Sequence, residues 1–240
     1  MKKQASCFFI LFFVTFFMSN LSAFIVESSR LDSISEYLDA VDLEKKVLVI
    51  FDIDETLIKA HCACEVGSYK WFQRHARMLA EARGVHKKDI YSFIEPIYRD
   101  VSEVSDFFVQ PIETDASLLV KAIQQRADAV ICLTARTHPL VEKTKHMLKA
   151  VGFDFVSSAI VCKEEIVFEE GGYYEGIGFC GPVSKAIVLK MLFEKADDCF
   201  DTIIMVDDKI EHLEDVEEML QSYYAQIHFV GVRYIHVCSE

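Results

Sequence analysis

The chain has 240 residues, of which 52% are hydrophobic, and it carries a formal net charge of −13. That length accommodates one large domain or one domain with a modest insertion, and the apolar fraction suffices for a substantial core, which excludes a disordered protein. The excess of acidic residues argues against nucleic acid and anionic membranes as partners.

The N-terminal segment has the pattern of a secretory signal. Two lysines precede an apolar run over residues 7–18, and a short stretch containing small and polar residues follows it up to Ala23. This pattern predicts a signal peptide over residues 1–23, cleaved after Ala23, and an exported bacterial protein, periplasmic or secreted, with no membrane contact after cleavage. The alternative is an uncleaved N-terminal anchor, because residues 24–26 extend the apolar stretch towards the roughly 20 residues that span a bilayer.

Beyond the signal, apolar runs of strand length alternate with helical patterns. Buried strands are predicted at residues 46–54, 129–133, 202–206 and 227–232. Apolar residues at helical spacing predict one helix ahead of the first strand and four more at 116–125, 139–150, 185–195 and 211–221. Such alternation is typical of an α/β, Rossmann-like fold with a mostly parallel central sheet covered on both faces.

One long stretch interrupts this alternation. Residues 59–111 contain no convincing buried strand, but SYKWFQRHARMLAEARG within them has a helical pattern. We therefore predict a small helical cap at 59–111, inserted after the first strand into a core formed by residues 24–58 and 112–240.

A second interruption, EIVFEEGGYYEGIGF, predicts a β-hairpin. Gly171 and Gly172 separate two short stretches of β-forming residues, which favours a two-residue turn at the glycines. That turn would set Ile166 opposite Ile177.

Polar side chains follow three of the predicted strands. In an open parallel sheet, ligands gather beyond the carboxyl ends of the strands, so these side chains are expected to meet at one edge. They comprise two carboxylate clusters, a hydroxyl, and a lysine that begins the helix before the last strand: Asp52 and Asp54, Asp207 and Asp208, Thr134, and Lys185.

The clustered carboxylates require a counter-charge, because they repel one another unless a cation lies between them. Ligation by oxygen alone favours Mg²⁺. With Mg²⁺ present, phosphate is the natural substrate group, since Lys185 and the Thr134 hydroxyl can hold its remaining charge. An aspartate can then attack phosphorus and form an aspartyl-phosphate.

Four motifs, FDIDETL, LTAR, Lys185 and IIMVDD, resemble those of the haloacid dehalogenase (HAD) superfamily of phosphohydrolases. Within it, the chain resembles an exported bacterial branch known mainly as a domain of unknown function, distantly similar to secreted acid phosphatases. The resemblance extends over residues 47–232. It implies a magnesium-dependent phosphatase, acting on a small phosphomonoester that the helical cap selects.

The resemblance also implies a role for each motif residue. Asp52 would be the nucleophile, and Asp54 would protonate the leaving group and then activate water. Thr134 would bind the phosphoryl oxygens, while Lys185 would neutralise charge on the nucleophile and the phosphate. The implied Mg²⁺ site consists of Asp52, Asp54 through its carbonyl, and Asp208, with Asp207 supporting it from behind.

The motifs leave open the identity of the third-motif lysine and the support for the metal site. The third motif is the loosest, so Lys163 and Lys190 are rivals to Lys185. Family members often place Asp or Asn one turn after the metal-binding aspartate, whereas Glu211 and His212 stand here. Thr56 is expected to brace the turn that follows Asp54, and Glu55 has no predicted role.

Two other functions are compatible with the same residues. One is an exported binding or effector protein that keeps the HAD fold with little turnover. The other is a phosphotransferase that uses an acceptor other than water.

Overall fold

A computed structural model describes residues 23–60, 69–86, 89–90, 109–169, 171–196 and 199–235. The predicted signal lies outside the described residues, except for Ala23. Among the described residues, no helix has both the length and the apolarity needed to cross a membrane.

Eight of the described strands form one sheet: β1 (Ala23–Ser28), β2 (Val47–Phe51), β5 (Ala129–Thr134), β6 (Val167–Phe168), β7 (Gly171–Tyr174), β8 (Ile177–Phe179), β9 (Thr202–Asp207) and β10 (His228–Tyr234). Their order in the sheet is β1-β10-β9-β2-β5-β8-β7-β6. The five pairs from β1 to β8 in this order are parallel, and the pairs β8–β7 and β7–β6 are antiparallel. A separate antiparallel ribbon consists of β3 (Ile58–Ala60) and β4 (Val109–Pro111).

Six α-helices lie between these strands in the described part of the chain. They are α1 (Ser33–Ala40), α2 (Tyr69–Arg83), α3 (Ala116–Gln124), α4 (Val141–Ala150), α5 (Lys185–Lys195) and α6 (Ile210–Tyr223). Short 3₁₀ turns occur at His138–Leu140 and Val156–Ser158.

The sheet is covered on both faces, which explains why β2 and the central residues of β5 and β9 are apolar. Alternate residues of β2 enter two different cores: Val49 packs on one face with α1, α3 and α4, and Ile50 packs on the other with α5 and α6. A parallel strand buried on both faces needs a continuous apolar run. The predicted α/β fold with a mostly parallel central sheet is confirmed.

Strand β1 was not predicted. It pairs in parallel with β10 at the edge of the sheet, and Phe24 and Val26 pack on one core while Ile25 packs on the other. The apolar residues 24–26, which suggested an extended signal or anchor, therefore have a structural role in the folded domain.

The hairpin is present, but the predicted position of its turn is wrong. Gly171 and Gly172 lie in β7, and Ile177 pairs with Tyr174 instead of Ile166. The two-residue turn falls at Glu175 and Gly176, whose φ angles of 51° and 85° are those of a type I′ turn. A Cβ at Gly171 would lie 2.1 Å from the Phe179 carbonyl oxygen, so this glycine permits close strand packing.

The β3–β4 ribbon joins the two ends of the insertion after β2, with Lys59 paired with Gln110. Helix α2 forms where the helical pattern predicted it. Its Ala76 and Ala80 are buried with Leu140 in a small apolar cluster. The insertion helix thus packs on the 3₁₀ turn that follows β5, beside the edge of the sheet that carries the polar residues.

Candidate active site

The candidate site lies beyond the carboxyl ends of β2, β5 and β9, three adjacent parallel strands. After β2, the chain crosses to β5 on one side, and the later strand β9 lies on the other side. This reversal of strand order is a topological switch point, where open α/β sheets bind their ligands. The Asp52 amide donates to the Val206 carbonyl at 2.9 Å, which ties the end of β2 to β9.

Lys185 is the centre of the charged cluster. It is the first residue of α5, which is capped by the Ser184 side chain, and it is only 2% exposed. Its Nζ donates to Asp207 Oδ2 at 2.6 Å and to Asp52 Oδ1. Burial alone would lower the pKa of Lys185, but Asp207 and Asp52 outweigh burial and raise it. The lysine therefore stays charged between the two carboxylates.

Asp207 is fully buried at the end of β9 and is held from several directions. Besides the bond from Lys185, its Oδ1 accepts from the Lys209 amide at 3.0 Å, and His212 Nδ1 lies 3.0 Å from both carboxylate oxygens. Burial alone would raise the pKa of Asp207, yet Lys185 and His212 lower it to about 2. Asp207 is thus a fixed, buried anion within the cluster.

The site has a donor set that fits a hard divalent cation. Ligand oxygens of Asp52, Asp207 and Asp208 lie within 4.8 Å of one another. Burial and then the charge of Asp52 raise the pKa of Asp208 to about 7, and burial with the neighbouring carboxylates also raises the pKa of Asp52. A divalent cation would offset this repulsion, and carboxylate oxygens are the ligands that Mg²⁺ prefers.

Asp54 lies apart from this cluster, on a turn between β2 and β3. The Leu57 amide donates to the Ile53 carbonyl at 3.0 Å, and Glu55 adopts a left-handed conformation with φ of 62°. The Asp54 carboxylate faces Arg136, with two hydrogen bonds of 2.9 and 2.8 Å. Burial alone would raise the pKa of Asp54, but the charge and hydrogen bonds of Arg136 lower it.

The expected role of Thr56 is not supported. Thr56 is fully buried, and its Oγ1 has no hydrogen-bond partner among the described residues. Backbone bonds close the turn instead, including Glu55 amide to Ile58 carbonyl at 2.8 Å. Glu55 supplies the positive φ that lets the chain turn from β2 into the ribbon.

Thr134, the last residue of β5, is buried at the same edge of the sheet. Its Oγ1 accepts from the Arg136 amide at 3.2 Å, and its carbonyl accepts from the Cys180 amide at 2.7 Å. The hydroxyl is therefore fixed by the loop that follows β5.

Of the three candidate lysines, Lys185 is the one that contacts Asp52. The Lys163 amide donates to the Lys195 carbonyl. Lys195 is at the opposite end of α5 from Lys185, about 15 Å away along the helix axis. Lys190 pairs with Glu194 and lies over the Tyr223 ring. Neither rival is placed at the carboxylate cluster.

Two residues of the site had no predicted role. Arg136 was visible only as the last letter of LTAR, and nothing in the sequence indicates that its guanidinium reaches back to Asp54. His212 was noted as a departure from the family pattern, and the structure places it against Asp207. An arginine two residues after a strand-end hydroxyl, on a strand predicted to lie beside one followed by two aspartates, is the signal that could have identified the Arg136–Asp54 pair.

The fold and the strand-end carboxylates together define an α/β protein with a candidate metal centre at its switch point. The chain belongs to the family described as a protein of unknown function (DUF2608), which matches residues 27–240. No curated protein matches the sequence. Among solved structures, the chain is similar to the HAD domain of effector protein Lem4 from Legionella pneumophila, an inactive mutant, with 14% identity and a TM-score of 0.44, covering 82% of this chain and 88% of that one.

Proposed function

We propose that this protein is a magnesium-dependent phosphomonoester hydrolase that acts through an aspartyl-phosphate on Asp52. The observation that supports this most directly is the arrangement around Asp52. Its carboxylate is paired with buried Lys185, lies beside Asp207 and Asp208, and is two residues from a second carboxylate on the same strand end. Such a constellation at a switch point is typical of a phosphoryl-transfer site.

Each side chain has a role in this proposal. A carboxylate oxygen of Asp52 attacks phosphorus and forms a new P–O bond, while the P–O bond to the leaving group breaks. In the resting site Asp54 is mainly a carboxylate, because Arg136 lowers its pKa, so the protonated form that donates to the departing oxygen is the minor one. The carboxylate form then takes a proton from the water that attacks the phospho-aspartate. That attack releases inorganic phosphate and restores the Asp52 carboxylate.

The remaining residues supply positive charge and hydrogen bonds. Lys185 holds the Asp52 carboxylate in place and offsets charge on the phosphoryl oxygens, and the Thr134 hydroxyl is at hand to donate to one of them. Asp52, Asp208 and the Asp54 carbonyl would hold Mg²⁺, with Asp207 behind them. When bound, Mg²⁺ supplies charge neutralisation for the phosphoryl group.

A small phosphorylated molecule is the proposed substrate, and a location outside the bacterial cytoplasm is proposed from the N-terminal signal. The insertion that carries α2 is proposed as the cap that selects this molecule, because its helix packs on Leu140 beside the site.

Hydrolysis of p-nitrophenyl phosphate, with and without Mg²⁺, tests this function. We expect turnover that requires Mg²⁺ and is lost in Asp52→Asn, since an amide cannot serve as the nucleophile. Asp201→Asn is the matched control, because Asp201 pairs with Lys45 away from the site. Absence of turnover across a broad phosphate panel would favour the binding protein, and transfer of phosphate to added alcohols would show a phosphotransferase.

A further inference from the structure

The contact between Arg136 and Asp54 has the geometry of a clamp. The Arg136 side chain is 5% exposed and that of Asp54 is 23% exposed. Nε donates to Asp54 Oδ2 at 2.9 Å and Nη2 donates to Oδ1 at 2.8 Å. Two parallel bonds from a planar guanidinium fix both the position and the rotation of a carboxylate, which a single bond does not.

Arg136 is itself anchored from behind. Its Nη1 donates to Thr144 Oγ1 at 2.9 Å and lies 3.7 Å from Met147 Sδ, both on α4. Its amide donates to Thr134 Oγ1. One side chain therefore connects the Asp54 turn, the end of β5 and the first turns of α4.

Asp54 needs this restraint more than its neighbours do. Lys185 fixes Asp52 and Asp207 in the buried cluster. Asp54 lies on the turn after β2, and it is the more exposed of the two aspartates that follow this strand. A proton donor and acceptor that is free to rotate spends little time within reach of the reacting oxygen, which lowers the rate of each proton transfer.

We propose that Arg136 is a positioning residue, which holds the Asp54 carboxylate in register with the reacting oxygens for both proton transfers. This inference rests on the proposed phosphatase function. It differs from a direct phosphate contact, in which Arg136 would bind the substrate itself. The two roles predict different behaviour with different leaving groups.

The test compares Arg136→Met with wild type in the full chain, using p-nitrophenyl phosphate and an alkyl phosphate. Nitrophenolate leaves without protonation, so the first step should stay fast in the variant while hydrolysis of the aspartyl-phosphate slows. Rapid mixing should then show a burst of about one nitrophenolate per enzyme, followed by slow turnover. The alkyl phosphate needs the proton in the first step, and its kcat should fall by about 10²- to 10³-fold without a burst.

Two further variants guard against a folding defect. Arg136→Lys keeps the charge but offers no planar pair of donors, so it should restore the rates only in part. Thr144→Val removes the anchor behind Arg136 with little change in shape, and should show the same leaving-group pattern at a smaller size, about threefold to tenfold. Arg126→Met, which removes an exposed ion pair with Asp39, is the control and should leave the rates with both substrates unchanged.

The outcomes separate the two proposals. Equal losses on both substrates with no burst, or a raised KM with unchanged leaving-group dependence, would overturn the positioning role and leave the phosphatase standing. If wild type turns over no phosphate ester, the phosphatase proposal fails. Crystal structures of wild type and Arg136→Met then still decide the clamp: displacement of the Asp54 carboxylate supports it, and an unmoved carboxylate refutes it.

Discussion

Two cation–carboxylate contacts flank the end of β2, and they differ in depth. On the β9 side, Lys185 lies between Asp52 and Asp207, and all three side chains are buried. On the β5 side, Arg136 holds Asp54, whose carboxylate is partly open to solvent. The same strand end thus delivers one carboxylate into the interior and one to a position partly open to solvent.

The difference follows from the chemistry proposed for each side. A nucleophile and metal ligands benefit from a rigid, water-poor setting, where electrostatic interactions are strong. A group that exchanges protons with the leaving group and with water must stay accessible. Lysine suits the first role as a point charge shared by two carboxylates, while arginine suits the second as a planar clamp on one.

The largest expected effect comes from Lys185→Met. This change leaves Asp52 and Asp207 buried without their shared cation, and breaking a buried pair by removing one partner costs about 3–5 kcal/mol. Urea unfolding in the absence of Mg²⁺ should show that loss. The proposed phosphatase activity should be abolished in the same variant. Lys190→Met, on the same helix but outside the site, should lose much less; similar losses for the two variants would contradict the central role of the buried cluster.

The second prediction concerns pH and Mg²⁺. The pKa of Asp208 is raised from 3.8 to about 7, so between those values the folded protein holds a proton that the unfolded chain has released. Stability of the metal-free protein should therefore fall as pH rises from about 4 to 7 and level off above. The low pKa of Asp207 acts in the opposite direction, but only below about pH 4, since its carboxylate stays ionised above that.

If Asp208 is a ligand of Mg²⁺ as proposed, binding of the ion displaces its proton, so the rise in Tm on adding Mg²⁺ should be larger at pH 8 than at pH 5. Asp208→Asn should reduce the pH slope, leaving the part due to Asp52, whose pKa is also raised, and should remove most of the Mg²⁺ effect. A Tm shift that is equal at both pH values would show that Asp208 is not a ligand. Differential scanning calorimetry at fixed ionic strength provides the measurement.

The buried half of this comparison was more predictable from sequence than the exposed half. Continuous apolar runs identify β2, β5 and β9, and the parallel topology then brings the residues that follow them to one edge, whatever the details of the loops. The Arg136–Asp54 contact depends on where two side chains point after their strands end. Apolar periodicity carries no information about that direction.

The errors elsewhere have similar causes. Strand β1 was missed because its three apolar residues continue the apolar character of the predicted signal, and its partner β10 lies some 200 residues later in the sequence. At the hairpin, glycine was taken as a turn residue, but Gly171 is required by a close backbone approach. The positive φ of the true turn falls partly on Glu175, a residue type that gives no turn signal.

The smallest expected effect concerns His212, which supports the buried side from outside. In His212→Asn, Asp207 keeps its bonds from Lys185 and the Lys209 amide, so the loss should be about 1 kcal/mol in unfolding free energy and only a few-fold in kcat. His146→Asn is the matched control, because the His146 side chain is exposed. A loss as large as that of Lys185→Met would mean that His212, and not Lys185, fixes Asp207, and the division between a self-sufficient buried cluster and a clamped outer carboxylate would have to be abandoned.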